Sequence, residues 1–304
     1  LDFDGSNDYI SFAQDVSSAT QFTYESWIYV KEHQCWERIF DFGNGPSQTI
    51  FLSSSAFCEG YLRFAMNIGA GEHILDAPSA PIPTYAWTHV AVTINGDTAK
   101  IYVNGALAAT NPSFVYNPAM LGTTINNWIG KSQFIADNYF NGRIDEVRLW
   151  NVARTQEEIV ANMHTPLSGT ESGLMVYQKF DQGIVQGSNP GNSTAFATVS
   201  ENHATLNNFA LNGCTSNWVC GMPSFGACAA VGGEISGPEM VAVGDTIALT
   251  AGVTGGSWTS SNYEVASVSS SGVVTGESAG TAIITLLYYG TCGVDYEIHN
   301  VTVT

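Results

Sequence analysis

From residue 1 to about 150, short runs of aromatic and β-branched residues alternate with Gly, Asn, Asp and Pro turn signals, and this cadence leaves few folds open. Phe22-Thr23-Tyr24-Glu25-Ser26-Trp27-Ile28-Tyr29-Val30 sets aromatic or β-branched residues between polar ones; Arg38 to Phe42, Tyr61 to Met66, Trp87 to Thr93 and Lys100 to Val103 continue the pattern. Asn95-Gly96-Asp97 and Asn104-Gly105 are strong turn signals, the first joining two strands as a hairpin. Many closely spaced strands with almost no helix predict an all-β sandwich. One short helix is expected after Thr155-Gln156-Glu157-Glu158, a capping box in which the threonine oxygen accepts from the backbone three residues on while Glu158 reaches back. Ile159, Val160 and Met163 supply its apolar stripe, and it should end near Met163.

At 304 residues and 44% hydrophobic content the chain can bury a core in each of two domains, and no apolar run is long enough to cross a membrane. It opens on strand-like Leu1-Asp2-Phe3 rather than a basic and apolar leader, so it is expected to be part of a longer chain. Nine Lys and Arg stand against 27 Asp and Glu, with no cation after Lys179. Such a surface repels phosphate, which argues against nucleic acid and anionic membrane as partners and tolerates cations, calcium among them. The six cysteines show no CxxC or zinc-like spacing, so disulfides are expected. Keeping each bridge within one structural unit pairs Cys35 with Cys58, Cys214 with Cys220 and Cys228 with Cys292, although spacing alone leaves connectivity open.

In Gly142-Arg143-Ile144-Asp145-Glu146-Val147-Arg148-Leu149-Trp150-Asn151, two acids and two arginines lie among β-formers, a half-buried strand signal. Asp145 and Glu146 are adjacent and in a regular strand point to opposite faces. Extended back to Tyr139, this stretch resembles the closing strand of laminin-G-like domains with the concanavalin A-type jelly roll. Leu1-Asp2-Phe3-Asp4-Gly5-Ser6-Asn7-Asp8-Tyr9-Ile10, Trp87 to Thr93 and Ala99 to Gly105 match the same family in the same order. Gly173 to Asp181 and Asn202 to Phe209 are strand-like too. In many such domains similar segments come first; here they follow the closing strand and are assigned to the same domain, residues 1–222, with a separate insert as the alternative.

From about Cys228 the composition shifts to Gly, Ser, Thr, Val and Ala. Gly244 to Thr250, Gly256 to Asn262, Val265 to Val268, Gly272 to Gly276 and Ala279 to Thr285 resemble the bacterial immunoglobulin-like group 2 domain, a spacer in surface proteins. Residues 223–304 are assigned to it, with Ile247, Leu249, Val265 and Val268 facing the core and Trp258 between the sheets.

Three functional classes suit such a fold. Glucanases of the same jelly roll place carboxylates at alternating positions of one strand, and no Glu-x-Asp-x-x-Glu or Glu-x-Asp-x-Glu stretch occurs; with no Gly-x-Ser-x-Gly elbow either, the expected answer is no enzyme. The laminin-G resemblance implies one calcium, held by Asp4, the Gly5 carbonyl and Asp145 within a shell of ~6–8 oxygens. Sugar modules stack an aromatic ring on a pyranose and flank it with polar groups. Trp36 with Glu37 and Arg38, Tyr61, Asn127 with Trp128, and Asn138 with Tyr139 are the candidates, whereas Trp27, Trp87 and Trp150 are expected in the core, which is also the alternative place for Trp128. The resulting expectation is a calcium-stabilised, glycan-binding adhesion module of a secreted or surface bacterial protein, its ligand a glycan or a host or neighbouring-cell surface component. A structural stalk, a protein-binding adhesin and a polysaccharide-degrading enzyme are the alternatives.

Overall fold

The computed structural model describes residues 1–183, 188–199, 202–212, 217–219, 235–252, 256–290 and 293–304. The chain divides into two compact units, Leu1–Gly226 and Ala227–Thr304. Among the described residues, the first unit holds two antiparallel sheets, with strands numbered here in chain order. One runs β1 (Asp2–Asp4), β12 (Asn141–Trp150), β3 (Phe22–Val30), β8 (Trp87–Asn95), β9 (Thr98–Val103), β10 (Ala106–Asn111), with β13 (Leu174–Gln178) also on β12. The other runs β14 (Thr194–Ala195), β15 (Ala204–Asn207), β2 (Tyr9–Phe12), β11 (Asn126–Ile129), β4 (Arg38–Gly43), β5 (Gln48–Ser53), β6 (Tyr61–Ile68), β7 (Glu72–Pro81). Strands β13 to β15 thus complete the sheets of the first unit from its far end in sequence.

Alternation along each strand sends one set of side chains between the sheets. Phe3, Ile10, Phe22, Tyr24, Ile28, Phe40, Phe64, Val92, Ile144 and Leu149 are buried in one cluster there. Phe40 lies 4.3 Å from Tyr24 and 4.8 Å from Phe42 between ring centroids. Burying each such side chain stabilises the unit by about 1.5–3 kcal/mol. The turn signals act as expected. Asn95 pairs with Thr98 and Val103 with Ala106, so each connection has two residues, and Asn104 and Gly105 both take left-handed φ (49° and 75°), the geometry that matches strand twist.

The expected opposition of Asp145 and Glu146 is corrected by a bulge. Asp145 pairs with Trp27 but Arg148 with Glu25, so one extra residue is inserted, and Glu146 has φ 53°. Both acids consequently share the face away from the core. Helix α1 (Gln156–Asn162), with Thr155 as N-cap and its capping box closed, leads a strap over that face. Beneath it, Arg148 donates to Glu146 at 3.0 Å and to the carbonyls of Asn162 and Thr165, each at 2.9 Å. Tyr177 donates to Glu146 at 2.6 Å, Trp150 to Glu25 at 2.9 Å, and Trp27 to the Met163 carbonyl at 2.7 Å. Burial alone would raise Glu25, yet His89, Arg148 and the Trp150 N–H together hold its carboxyl below the usual range.

The second unit contains β16 (Met240–Val241), β17 (Thr246–Ala248), β18 (Ser257–Ser260), β19 (Ala266–Val268), β20 (Val273–Gly276), β21 (Gly280–Gly290) and β22 (Gly293–Val303), arranged as sheets β16-β22-β21-β18 and β17-β20-β19. Leu249, Val274, Ile284 and Val301 are buried between them, and Ile247, Trp258, Val265 and Val268 pack against that cluster.

Candidate functional site

Cys35, in the loop after β3, is disulfide-bonded to Cys58, in the turn after β5, with Cα atoms 4.1 Å apart. The other two expected pairings, Cys214 with Cys220 and Cys228 with Cys292, lie outside the described residues. Three residues at this staple have left-handed backbone, Trp36 (φ 60°), Phe57 (φ 53°) and Cys58 (φ 67°). Such conformations cost L-residues about 1–2 kcal/mol each and persist where surrounding contacts enforce them, often at functional positions.

The staple sets the Trp36 ring edge-on against Phe57, centroids 4.7 Å apart. The Arg63 guanidinium of β6 lies 4.7 Å from the Phe57 ring and 5.1 Å from the Trp36 ring. Asp76 of β7, directly across from Arg63, accepts two hydrogen bonds of 2.7 Å from it, which fixes the plane of the guanidinium. Phe57 remains 54% exposed. Two aromatic faces, a fixed guanidinium and a carboxylate can together stack on the apolar side of a sugar ring and hydrogen-bond its hydroxyls. Tyr61, at the start of β6 two residues before Arg63, is buried and is corrected as a ligand contact.

Glu37, Arg38 and Asn127 are corrected as ligand contacts, because all three are buried. Arg38 donates to the Trp36 carbonyl and to Asp137, both at 2.7 Å, and lies 3.9 Å over the Phe51 ring, so it braces the staple from beneath. Glu37 accepts from Ser54 Oγ at 2.7 Å and the Asn141 amide at 3.1 Å. Asn127 points into the core region and donates to the Thr124 carbonyl. Asn138 is exposed and donates to the Cys35 carbonyl at 3.0 Å, tying the 131–139 loop to the staple. Trp128 and Tyr139 form a second group: Tyr9 lies between them, 6.0 and 6.4 Å away, and Lys131 Nζ caps the Tyr9 and Trp128 rings at 4.0 and 4.3 Å. Phe57, Arg63 and Asp76 were not singled out from sequence. Phe57 could have been, since it precedes the partner of Cys35; the Arg63–Asp76 pairing depends on a register that composition does not encode.

Burial pushes the Glu37 carboxyl up to about 8 against the hydrogen bonds from Ser54 and Asn141. Its ordinary value is 4.5, so between the two the folded chain holds a proton that the unfolded chain has lost. Stability contributed by this group is therefore full at low pH and falls as pH rises through that window, by about 1.4 kcal/mol per unit. Urea midpoints measured from pH 5 to pH 8 should fall more steeply for the natural chain than for Glu37→Gln; parallel curves would contradict the assignment.

The calcium ligands implied by the laminin-G resemblance do not meet. Asp4 pairs with Asn141, and Asp145 lies four residues further along β12, ~13 Å away at ~3.3 Å per residue. Asp4 Oδ1 instead accepts from the amides of Ser6 and Asn7, closing the turn that contains Gly5. Among the described residues, no three His, Cys, Asp or Glu side chains form a metal-ready group.

Two facing antiparallel sheets, with late strands returning to pair beside the first, define a jelly-roll sandwich. The sequence profile of the concanavalin A-like lectin/glucanases superfamily (Laminin_G_3) matches residues 4–160, just over half the chain, and the chain belongs to that superfamily. The bacterial Ig-like domain (group 2) profile matches residues 238–288. Mouse pappalysin-1 is 36% identical over 101 residues, 31% of this chain and 6% of that protein; the human adhesion G-protein coupled receptor D1 is 38% identical over 97 residues, 30% of this chain and 11% of the receptor. The chain thus corresponds to a small part of these relatives. The CBM40 of Ruminococcus gnavus IT-sialidase superposes with a TM-score of 0.45 at 17% identity, covering 53% of this chain and 94% of that one.

Proposed function

We propose that the first unit is a non-catalytic glycan-binding module that takes a sugar ring on Trp36, Phe57 and Arg63, and that the Ig-like unit is a spacer presenting it from a secreted or cell-surface protein toward a glycan on a neighbouring or host cell. One observation carries this reading: a disulfide closes two aromatic residues, both in left-handed backbone, around a guanidinium, with one ring more than half exposed. The superfamily includes glucanases as well as lectins. Binding is favoured over cleavage because Glu25, Glu37 and Glu146 are buried and engaged by neighbouring protein groups rather than presented to a substrate. The disulfide suits an oxidising, extracellular setting.

Affinity electrophoresis through gels containing a panel of soluble polysaccharides tests it. Trp36→Ala and Phe57→Ala should each weaken retardation ~10-fold, about 1.4 kcal/mol, as expected for a lost stacking surface. Thermal melts within a few degrees of the natural chain would confirm that the fold survives. Unchanged retardation in both variants would remove the platform from the site.

A further inference from the structure

On the outward face of the other sheet, a groove of ≈ 450 Å³ opens between the β8–β9 hairpin and the start of α1. That volume suits one or two sugar rings, within the ~300–1,000 Å³ usual for small-molecule sites. Thr93, Asn95, Thr98, Lys100 and Tyr102 line one side, all at positions that alternate away from the core; Arg154 and Glu157 line the other. The walls are tied in place. Gln156 Nε2 donates to the Gly105 carbonyl at 2.8 Å, and the Arg154 amide donates to Thr23 Oγ1 at 2.8 Å.

The charge inventory singles this groove out. Of nine cations in the chain, Lys31, Arg38, Arg63, Arg143, Arg148 and Arg154 have a carboxylate within 4.0 Å, while Lys131 and Lys179 sit over aromatic rings. Among the described residues Lys100 is the cation with neither partner, in a protein carrying a net charge of −18. Across the groove, Arg154 stacks 4.2 Å over Trp150, with the Glu158 carboxylate 3.8 Å from its Nε, beyond hydrogen-bond reach. An unneutralised ammonium on one wall and the Arg154 guanidinium on the other favour an anion between them. Asn95 accepts from Gln21 through its oxygen, which leaves its amide N–H groups to donate. Thr98 can donate or accept, and Glu157 can accept.

We propose that this groove is a second ligand site, separate from the aromatic platform, and that it takes a carboxylate-bearing sugar, the carboxylate between Lys100 and Arg154 and the hydroxyls on Asn95, Thr98 and Glu157. The acidic surface repels simple anions at long range, so hydroxyl contacts must supply part of the binding.

Isothermal titration of the intact chain with methyl β-D-glucuronide, methyl β-D-glucoside and sodium sulfate tests the site. The glucuronide should bind ~10-fold tighter than the glucoside, with sulfate failing to compete at equal concentration. Lys100→Gln should erase the preference for the glucuronide, Lys100→Arg should retain it, and Phe57→Ala should leave it intact. Equal binding by Lys100→Gln, or equal competition by sulfate, would overturn the proposal. Loss of glucuronide binding in Phe57→Ala would move the acidic sugar to the aromatic platform and overturn it as well.

Discussion

Replacing Arg148 with methionine should lower the unfolding free energy of the jelly-roll unit by about 3–5 kcal/mol. The guanidinium is buried between Glu146 at 3.0 Å and Glu25 at 4.0 Å, and it also ties down the Asn162 and Thr165 carbonyls of the strap. Methionine fills similar volume but leaves two buried carboxylates facing each other with less compensation, and it releases the strap from the sheet. Since a unit of this size loses ~2–4 °C in Tm per kcal/mol, a drop of ~10 °C is expected in a thermal melt. Adding Glu146→Leu to Arg148→Met should recover part of that loss, because an apolar pair at a buried ionic site is tolerated better than a broken one. A single variant that melts with the natural chain would show that the network contributes nothing to holding the strap.

The second large effect is expected on removing the staple. Cys35→Ser with Cys58→Ser opens a loop with a sequence separation of 23 residues, and the lost constraint on the unfolded chain costs about 3 kcal/mol. The functional loss should be larger than the stability loss suggests. Without the bridge, Trp36, Phe57 and residue 58 can relax out of the left-handed region, and the aromatic faces no longer close on Arg63. Denaturant melts of the double variant and of the natural chain under reductant should agree with each other, and both samples should lose glycan retardation. Retained retardation after clean reduction would show that Arg63 and Asp76 position the rings without the bridge.

Local features of this fold were legible because the chemistry that makes them is local. Asn-Gly turns need left-handed backbone, Thr155 and Glu158 cap a helix within one turn, and the repeating strand cadence admits a sandwich and little else. The Ig-like core could be read for the same reason, from the apolar positions at Leu249, Val265 and Trp258. What stayed hidden depends on register and long-range partners. The bulge at Glu146 breaks a period of two that sequence reading takes as constant, and so both acids reach one face. Arg38 and Glu37 read as exposed charges, yet their partners Asp137 and Asn141 come from about a hundred residues away and bury them. Asn127 follows the same logic in reverse: beside Trp128 on a turn-flanked strand it looks like a flank for a ligand, but alternation turns Trp128 outward and sends its neighbour inside. Trp36 was legible as a loop aromatic; its companions Phe57, Arg63 and Asp76 were not, because the disulfide and the β6–β7 register bring them to it.

The sugar site at the Cys35–Cys58 platform is tested by a glycan array probed in parallel with the natural chain and with Phe57→Ala, each first shown to melt at the same temperature. The natural chain should bind a defined set of glycans, and the variant should lose them. Identical binding by the two proteins, or no binding by either, would contradict a sugar site at the Cys35–Cys58 platform.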